Sequence, residues 1–213
     1  MTELPLRERK KRRTRAEIAD AAGVLFSRRG FEAVTVDEIA RVAGVSKQTV
    51  FNYFPTKEDL FFSRAAEQRE AMLAAVRDRP PGVSLVDAFR GYLRSFWMEV
   101  SALALDQPHR GFWAVLSESP ALLAHGREVN AANVAALARL VQLEAGASDR
   151  DLRPHVMANA LAAPHAAVFD HWRRRILTGE HPPDLAEELL DAADRAYEML
   201  EHGIASACLN RPR

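Results

Sequence analysis

The sequence predicts an all-α protein: an N-terminal three-helix domain of helix-turn-helix type, followed by a larger helical bundle, about nine helices in all. Three observations carry this. Caps and glycines punctuate residues 13–60 at helix-turn-helix spacing. The rest of the chain repeats apolar residues at helical period, and no segment alternates like a strand for long. Alanine and arginine are abundant and β-branched residues sparse, which favours helix.

The first helix is expected to start at Thr14, which precedes Glu17 by three residues in a capping-box pattern. Ile18, Ala21, Ala22, Leu25 and Phe26 share one face, and Gly30 ends the helix. Thr35 and Glu38 form a second capping box, opening a short helix with Val36, Ile39 and Ala40 inward. Gly44 permits the tight corner, and Ser46 caps a third helix from Lys47 to about Tyr53. Val50 and Phe54 are expected inside. Pro55 stops that helix, and Thr56 caps a fourth, from Lys57 to about Arg77.

Such a hairpin can serve packing alone. Charge argues for a polyanion instead. Up to Lys57 there are 12 Lys+Arg against 7 Asp+Glu, and from Glu58 onward 17 against 22, so a neutral total hides a basic end and an acidic body. All four lysines (Lys10, Lys11, Lys47, Lys57) lie in the basic end. Residues 1–12 are expected to form a disordered basic arm, either solvated or adding phosphate or minor-groove contacts. Arg7–Arg15 alone carries seven positive charges and one negative.

The run from Gly30 through Thr35, Gly44, Ser46, Tyr53 and Lys57 to Leu60 resembles the N-terminal domain of the tetracycline-repressor (TetR) family of bacterial regulators. The resemblance spans about 45 residues. It implies that the end of the third helix formed by Ser46, Lys47, Gln48 and Thr49 enters the major groove. Lys47 and Gln48 are then the base-reading candidates: lysine donates to guanine, and glutamine pairs with adenine. Thr35, Ser46, Tyr53 and Lys57 match family positions that grip phosphates, and Asn52 completes the DNA-facing set. Phosphate contacts hold register without reading sequence. The domains expected are 13–58 for DNA and 59–213 for ligand binding and dimerisation.

Beyond Leu60, helices are expected from Ser84 to about Leu105, from Asp106 to Ser117, from Pro120 to about Glu144, then one ending at Gly179 with Pro154 in its first turn, and a last one from Pro182 to about Ala207. Pro164 should kink the eighth helix and could let it yield on effector binding. The last two carry apolar stripes: Ala160, Ala163 and Ala167, then Leu185, Leu189, Ala193, Ala196, Leu200 and Ile204. These stripes suit either the internal core or, as the resemblance implies, a homodimer through the last two helices. Phe96, Trp97, Phe112, Trp113, Met157 and Phe169 are candidates for an apolar effector pocket, with His109, Arg110, Asn159 and His165 as polar contacts; core packing is the alternative for each.

The expected partners are a palindromic double-stranded operator, a second copy of the chain and a small, mostly hydrophobic effector. An effector-independent architectural binder or an activator is the alternative, and a filled core among the aromatics would favour it. No metal, cofactor or catalytic constellation is legible: seven histidines are scattered, without zinc spacing, a phosphate loop or a nucleophile elbow. Cys208 alone forms no internal disulfide, and the basic N-terminus lacks a leader's apolar core, so a reducing cytoplasm is expected. No uncharged apolar run approaches the roughly 18 residues of a membrane span.

Overall fold

The structure, a computed structural model, describes residues 5–104, 107–178 and 185–202; the side chains of 101–112, 176–177, 186 and 202 are outside the description. Ten helices are present among these residues: α1 (Leu6–Arg29), α2 (Val36–Val42), α3 (Lys47–Tyr53), α4 (Lys57–Phe61), α5 (Ala65–Arg77), α6 (Leu85–Ala104), α7 (Gln107–Glu118), α8 (Pro120–Glu144), α9 (Arg153–Leu177) and α10 (Leu185–His202). None of them is long and apolar enough to cross a membrane.

The all-α expectation holds, with two changes in its elements. The expected fourth helix is two, because residues 62–64 form a turn between α4 and α5. At Phe62 the backbone leaves helical geometry (φ −90°, ψ 32°), and the Ser63 carbonyl accepts from the Arg15 guanidinium at 2.6 Å. An arginine 48 residues away satisfies a carbonyl that a continuous helix would satisfy itself. The first helix starts at Leu6, not Thr14, so from Leu6 onward the expected disordered arm is a continuation of α1. Lys and Arg are good helix formers, Pro5 precedes the first turn, and Arg13 pairs with Glu17 at 2.8 Å, one turn on. Thr14, inside the helix, caps nothing.

Two compact units are resolved: Met1–Ala65 with Ala104–Arg127, and Ala66–Leu103 with Glu128–Arg213. Residues 104–127, expected in the ligand-binding bundle, therefore belong to the N-terminal unit. The reason lies in contacts at the start of α8. The buried Ser119 hydroxyl donates to Glu32 at 2.9 Å, His125 Nε2 lies 3.3 Å from Asp59, and the Phe62 and His125 rings are 5.4 Å apart. The core of this unit holds Ile18, Ala22, Ile39, Val50, Phe54, Leu116 and Leu122, with Phe26, Phe31 and Phe61 packed at centroid distances of 5.2–6.2 Å.

In the second unit, α9 packs against α10 and α6. Leu185, Leu189 and Ala193 of the expected last-helix stripe are buried there; Ile204 lies outside the described residues. The Tyr197 hydroxyl donates to the Leu161 carbonyl at 2.9 Å, and burial raises its pKa. Arg90 and Arg94 of α6 both reach Asp194 of α10, at 2.7 and 2.9 Å. α9 runs through Pro164, which lacks the N–H that would bond the preceding turn.

Candidate nucleic-acid interface

Local chemistry builds the α2–α3 corner and the start of α3. The Thr35 hydroxyl accepts from Glu38 N (3.3 Å), while the Glu38 carboxylate accepts from Thr35 N and from Thr35 Oγ1, both at 2.9 Å, and from Arg29 at 2.7 Å. The Arg29 hydrogen bond, followed by those from Thr35, holds the Glu38 carboxyl at about 2, below the usual range. Gly44 takes φ 67° at the corner, a left-handed conformation in which a Cβ would be strained. Ser46 then caps α3 by accepting from Thr49 N at 3.0 Å.

Val50 is fully buried and Phe54 nearly so, which orients α3 with its opposite face to solvent. Lys47, Gln48 and Asn52 are on that exposed face, Thr49 and Tyr53 are partly buried at its flanks, and Ser46 is exposed at its start. The structure thus brings together the candidates Ser46, Lys47, Gln48, Thr49, Asn52 and Tyr53 on one short helix. Most of their polar groups have partners close by. Gln48 Nε2 donates to Asn52 Oδ1 at 3.2 Å, the Ser46 and Thr49 hydroxyls are 2.8 Å apart, and Lys47 pairs with Asp37 at 2.7 Å.

Thr35 and Lys57 begin α2 and α4 as expected, but their side chains are already engaged. The Thr35 hydroxyl donates to Glu38, and the Lys57 ammonium sits 4.1 Å from the Phe31 ring centroid. Thr56 and Asp59 complete the capping box of α4. Sequence reading missed Asp37 as the partner of Lys47, and Arg15, whose guanidinium lies 4.3 Å from the Phe54 ring centroid at the end of α3. Neither pairing leaves a local signal, since each joins residues far apart in sequence.

The effector-pocket candidates divide. Phe96, Trp97 and His165 meet in the second unit with ring centroids 5.5–5.6 Å apart, and Trp97 Nε1 donates to His165 Nδ1 at 3.1 Å. Burial lowers the His165 pKa to about 4, so the imidazole is neutral at pH 7. Phe169 is partly buried on the same helix, α9. Trp113 is buried in the N-terminal unit, and the side chains of His109, Arg110 and Phe112 lie outside the described residues. Met157 and Asn159 are corrected: both are exposed on α9, with Asn159 Nδ2 turned back to the His155 carbonyl at 2.8 Å. Ala158, Leu161 and Ala162 take the core-facing side of α9, and Met157 and Asn159 lie on its two flanks, where they reach solvent. Beside Trp97 and His165, also lined by Arg90, Arg94, Asp194 and Tyr197, is a water-sized cavity of about 10 Å³. Among the described residues no three His, Cys, Asp or Glu side chains gather as metal ligands.

A capped, outward-facing α3 set at a glycine corner against α2 defines a protein of the helix-turn-helix class. The profile of the bacterial regulatory proteins of the tetR family matches residues 18–63. The transcriptional regulator TcmR of Streptomyces glaucescens is 30% identical over 175 residues, covering 80% of this chain and 77% of that protein. The transcriptional repressor AcnR of Corynebacterium glutamicum is 26% identical over 185 residues, covering 83% and 88%. The crystal structure of NalD, the secondary repressor of the MexAB-OprM multidrug efflux pump in Pseudomonas aeruginosa, shares the fold with a TM-score of 0.54 at 22% identity, covering 87% of this chain and 97% of that one. The chain belongs to the TetR family of transcriptional regulators.

Proposed function

We propose that the protein is a homodimeric repressor that binds a palindromic operator through α3 and is released by a small, mostly hydrophobic effector. The observation that carries this reading is the exposed face of α3, with Lys47, Gln48 and Asn52 presented outward over a buried Val50. Lys47 and Gln48 read base edges from the end of α3 that also carries Thr49, while Thr35, Ser46, Tyr53 and Lys57 border the groove toward phosphates.

A dimer matches the size of the reader. Seven residues of α3 touch few base pairs, and two copies on half-sites about 34 Å apart multiply the affinity. Support for a partner copy comes from α9, where Val156 is more than 60% exposed and exposed Ala163 and Ala167 follow on the same face, with Leu152, more than 70% exposed, just before the helix. Leu185, Leu189 and Ala193 of α10 are taken by the internal core, so α9 carries the more exposed apolar face among the described residues. Repression is supported by the repressors among the similar proteins.

Effector release requires tighter binding to the DNA-incompetent state. The aromatic cluster around Trp97 and His165 leaves room for little more than one water. An effector entering there must displace packed rings, and that displacement is the conformational work that couples binding to release. A second reading, an effector-independent DNA binder, would be favoured by a core filled across the whole aromatic set.

Selection of duplexes from random-sequence DNA with the intact protein and Gln48→Ala tests the proposal. An enriched palindrome whose preference relaxes at one position per half-site is expected. No enrichment would overturn sequence-specific reading by α3. On the selected duplex, release by an apolar compound that also quenches Trp97 or Trp172 fluorescence separates the effector reading from the effector-independent one.

A further inference from the structure

α1 begins well before the core that it serves. Its first buried residue is Ile18, yet the helix starts at Leu6, so three turns project with no fully buried side chain. Packing does not account for those turns, and composition opposes them, since seven cations between Arg7 and Arg15 repel one another. Only part of that charge is offset internally, by Glu8 at 3.9 Å from Arg12 and by Glu17 at 2.8 Å from Arg13. Arg7, Lys10 and Lys11 are exposed and form no ion pair among the described residues.

The extension is anchored at Arg15. Its guanidinium stacks on Phe54, the residue that ends α3, and donates to Ser63 just past α4. Arg15 therefore ties α1 to the C-terminal end of α3, and Leu6–Arg13 is the stretch of α1 that precedes this tie. The eight residues Leu6–Arg13 span about 12 Å at 1.5 Å per residue. The major groove is about 12 Å wide, so with the Ser46 end of α3 in the groove, its other end stands at the groove wall, beside the phosphates. The cations surround the helix rather than lining one face, and Leu6 is its one large apolar residue. A helix without an apolar face does not insert into a lipid surface, whereas a duplex flanked by phosphates requires only charge.

We propose that Leu6–Arg13 is a pre-formed helical arm of the DNA interface that grips phosphates outside the half-site read by α3. This rests on α3 being the recognition helix. The arm adds affinity for any duplex long enough to reach it and adds no sequence preference.

The test uses the full chain, the variant Arg7→Gln/Lys10→Gln/Lys11→Gln, and Thr14→Pro, on the selected duplex with flanks of either zero or ten base pairs across a salt series. Thr14→Pro keeps all seven cations, and proline is tolerated where it becomes the first residue of a shortened α1. The intact protein should bind the flanked duplex more tightly than the trimmed one. The triple variant should lose that difference, flatten the log–log salt slope by about 0.9 for each phosphate it no longer neutralises, and keep its ratio of selected to scrambled affinity. Thr14→Pro should also lose the flank effect. Equal slopes for intact and triple-variant protein, with sequence preference intact in both, overturn the arm alone. A flank effect that survives in Thr14→Pro replaces the helical arm with a flexible basic tail. Failure of the intact protein to bind any duplex removes the α3 reading and the arm together.

Discussion

Replacing Ser119 by alanine should loosen the N-terminal unit where α8 begins. The Ser119 hydroxyl, 2% exposed, donates to Glu32 between α1 and α2 at 2.9 Å and accepts from Leu122 N at 3.4 Å. A hydrogen bond to a charged group contributes about 1.5–3 kcal/mol, and Glu32 is exposed enough to regain water, so the lower end applies. The long bond to Leu122 adds about 0.5 kcal/mol as a cap. The sum, about 2 kcal/mol, corresponds to a ~30-fold loss of amide protection in the opening that frees this segment. Hydrogen–deuterium exchange on peptides covering residues 113–127 reads it locally, which matters because two compact units need not unfold in one step. Glu32→Gln and the double variant complete a cycle, with a coupling of about 1 kcal/mol expected from the shared bond. Protection altered less than about threefold (RT ≈ 0.59 kcal/mol) in Ser119→Ala, or strict additivity with Glu32→Gln, would refute the reasoning.

Two further perturbations follow from the paired side chains. Asp37→Asn releases Lys47 from an exposed ion pair, so stability should change by less than about 1 kcal/mol while affinity for every duplex rises severalfold; unchanged or weaker binding by fluorescence anisotropy would remove Lys47 from the interface. His165 has its pKa lowered by burial from 6.5 to about 4. Between those values the unfolded chain binds a proton that the folded chain does not, so its contribution is complete above pH 6.5 and is lost as pH falls toward 4. Urea midpoints should therefore fall more between pH 7 and pH 5 in the native chain than in His165→Gln, and an identical fall in both would contradict the buried, neutral imidazole.

The elements legible in advance are those whose causes lie within four residues. Thr35 with Glu38, Ser46 with Thr49, Thr56 with Asp59, and the left-handed Gly30 and Gly44 all set helix ends by bonds or backbone freedom that neighbouring positions reveal. Period alone assigned Val50 and Phe54 inward, and thereby the exposed face of α3. The pocket candidates were less legible, because an aromatic at helical spacing looks the same in a sequence whether it packs, as Phe96 and Trp97 do against His165, or lines a void.

What this sequence by itself determined is the helical class, the caps at Thr35, Ser46 and Thr56, the corner at Gly44 and the exposed face of α3. Only the tertiary structure decided that α4 breaks where Arg15 takes the Ser63 carbonyl, that Ser119 and His125 draw the start of α8 to the N-terminal unit, that Asp37 holds Lys47, and that Met157 and Asn159 face outward. The physical reason is range. A cap is a contest within one turn of chain, whereas a carbonyl claimed from 48 residues away, or a helix face already filled by another helix, depends on which surfaces meet after the chain has folded.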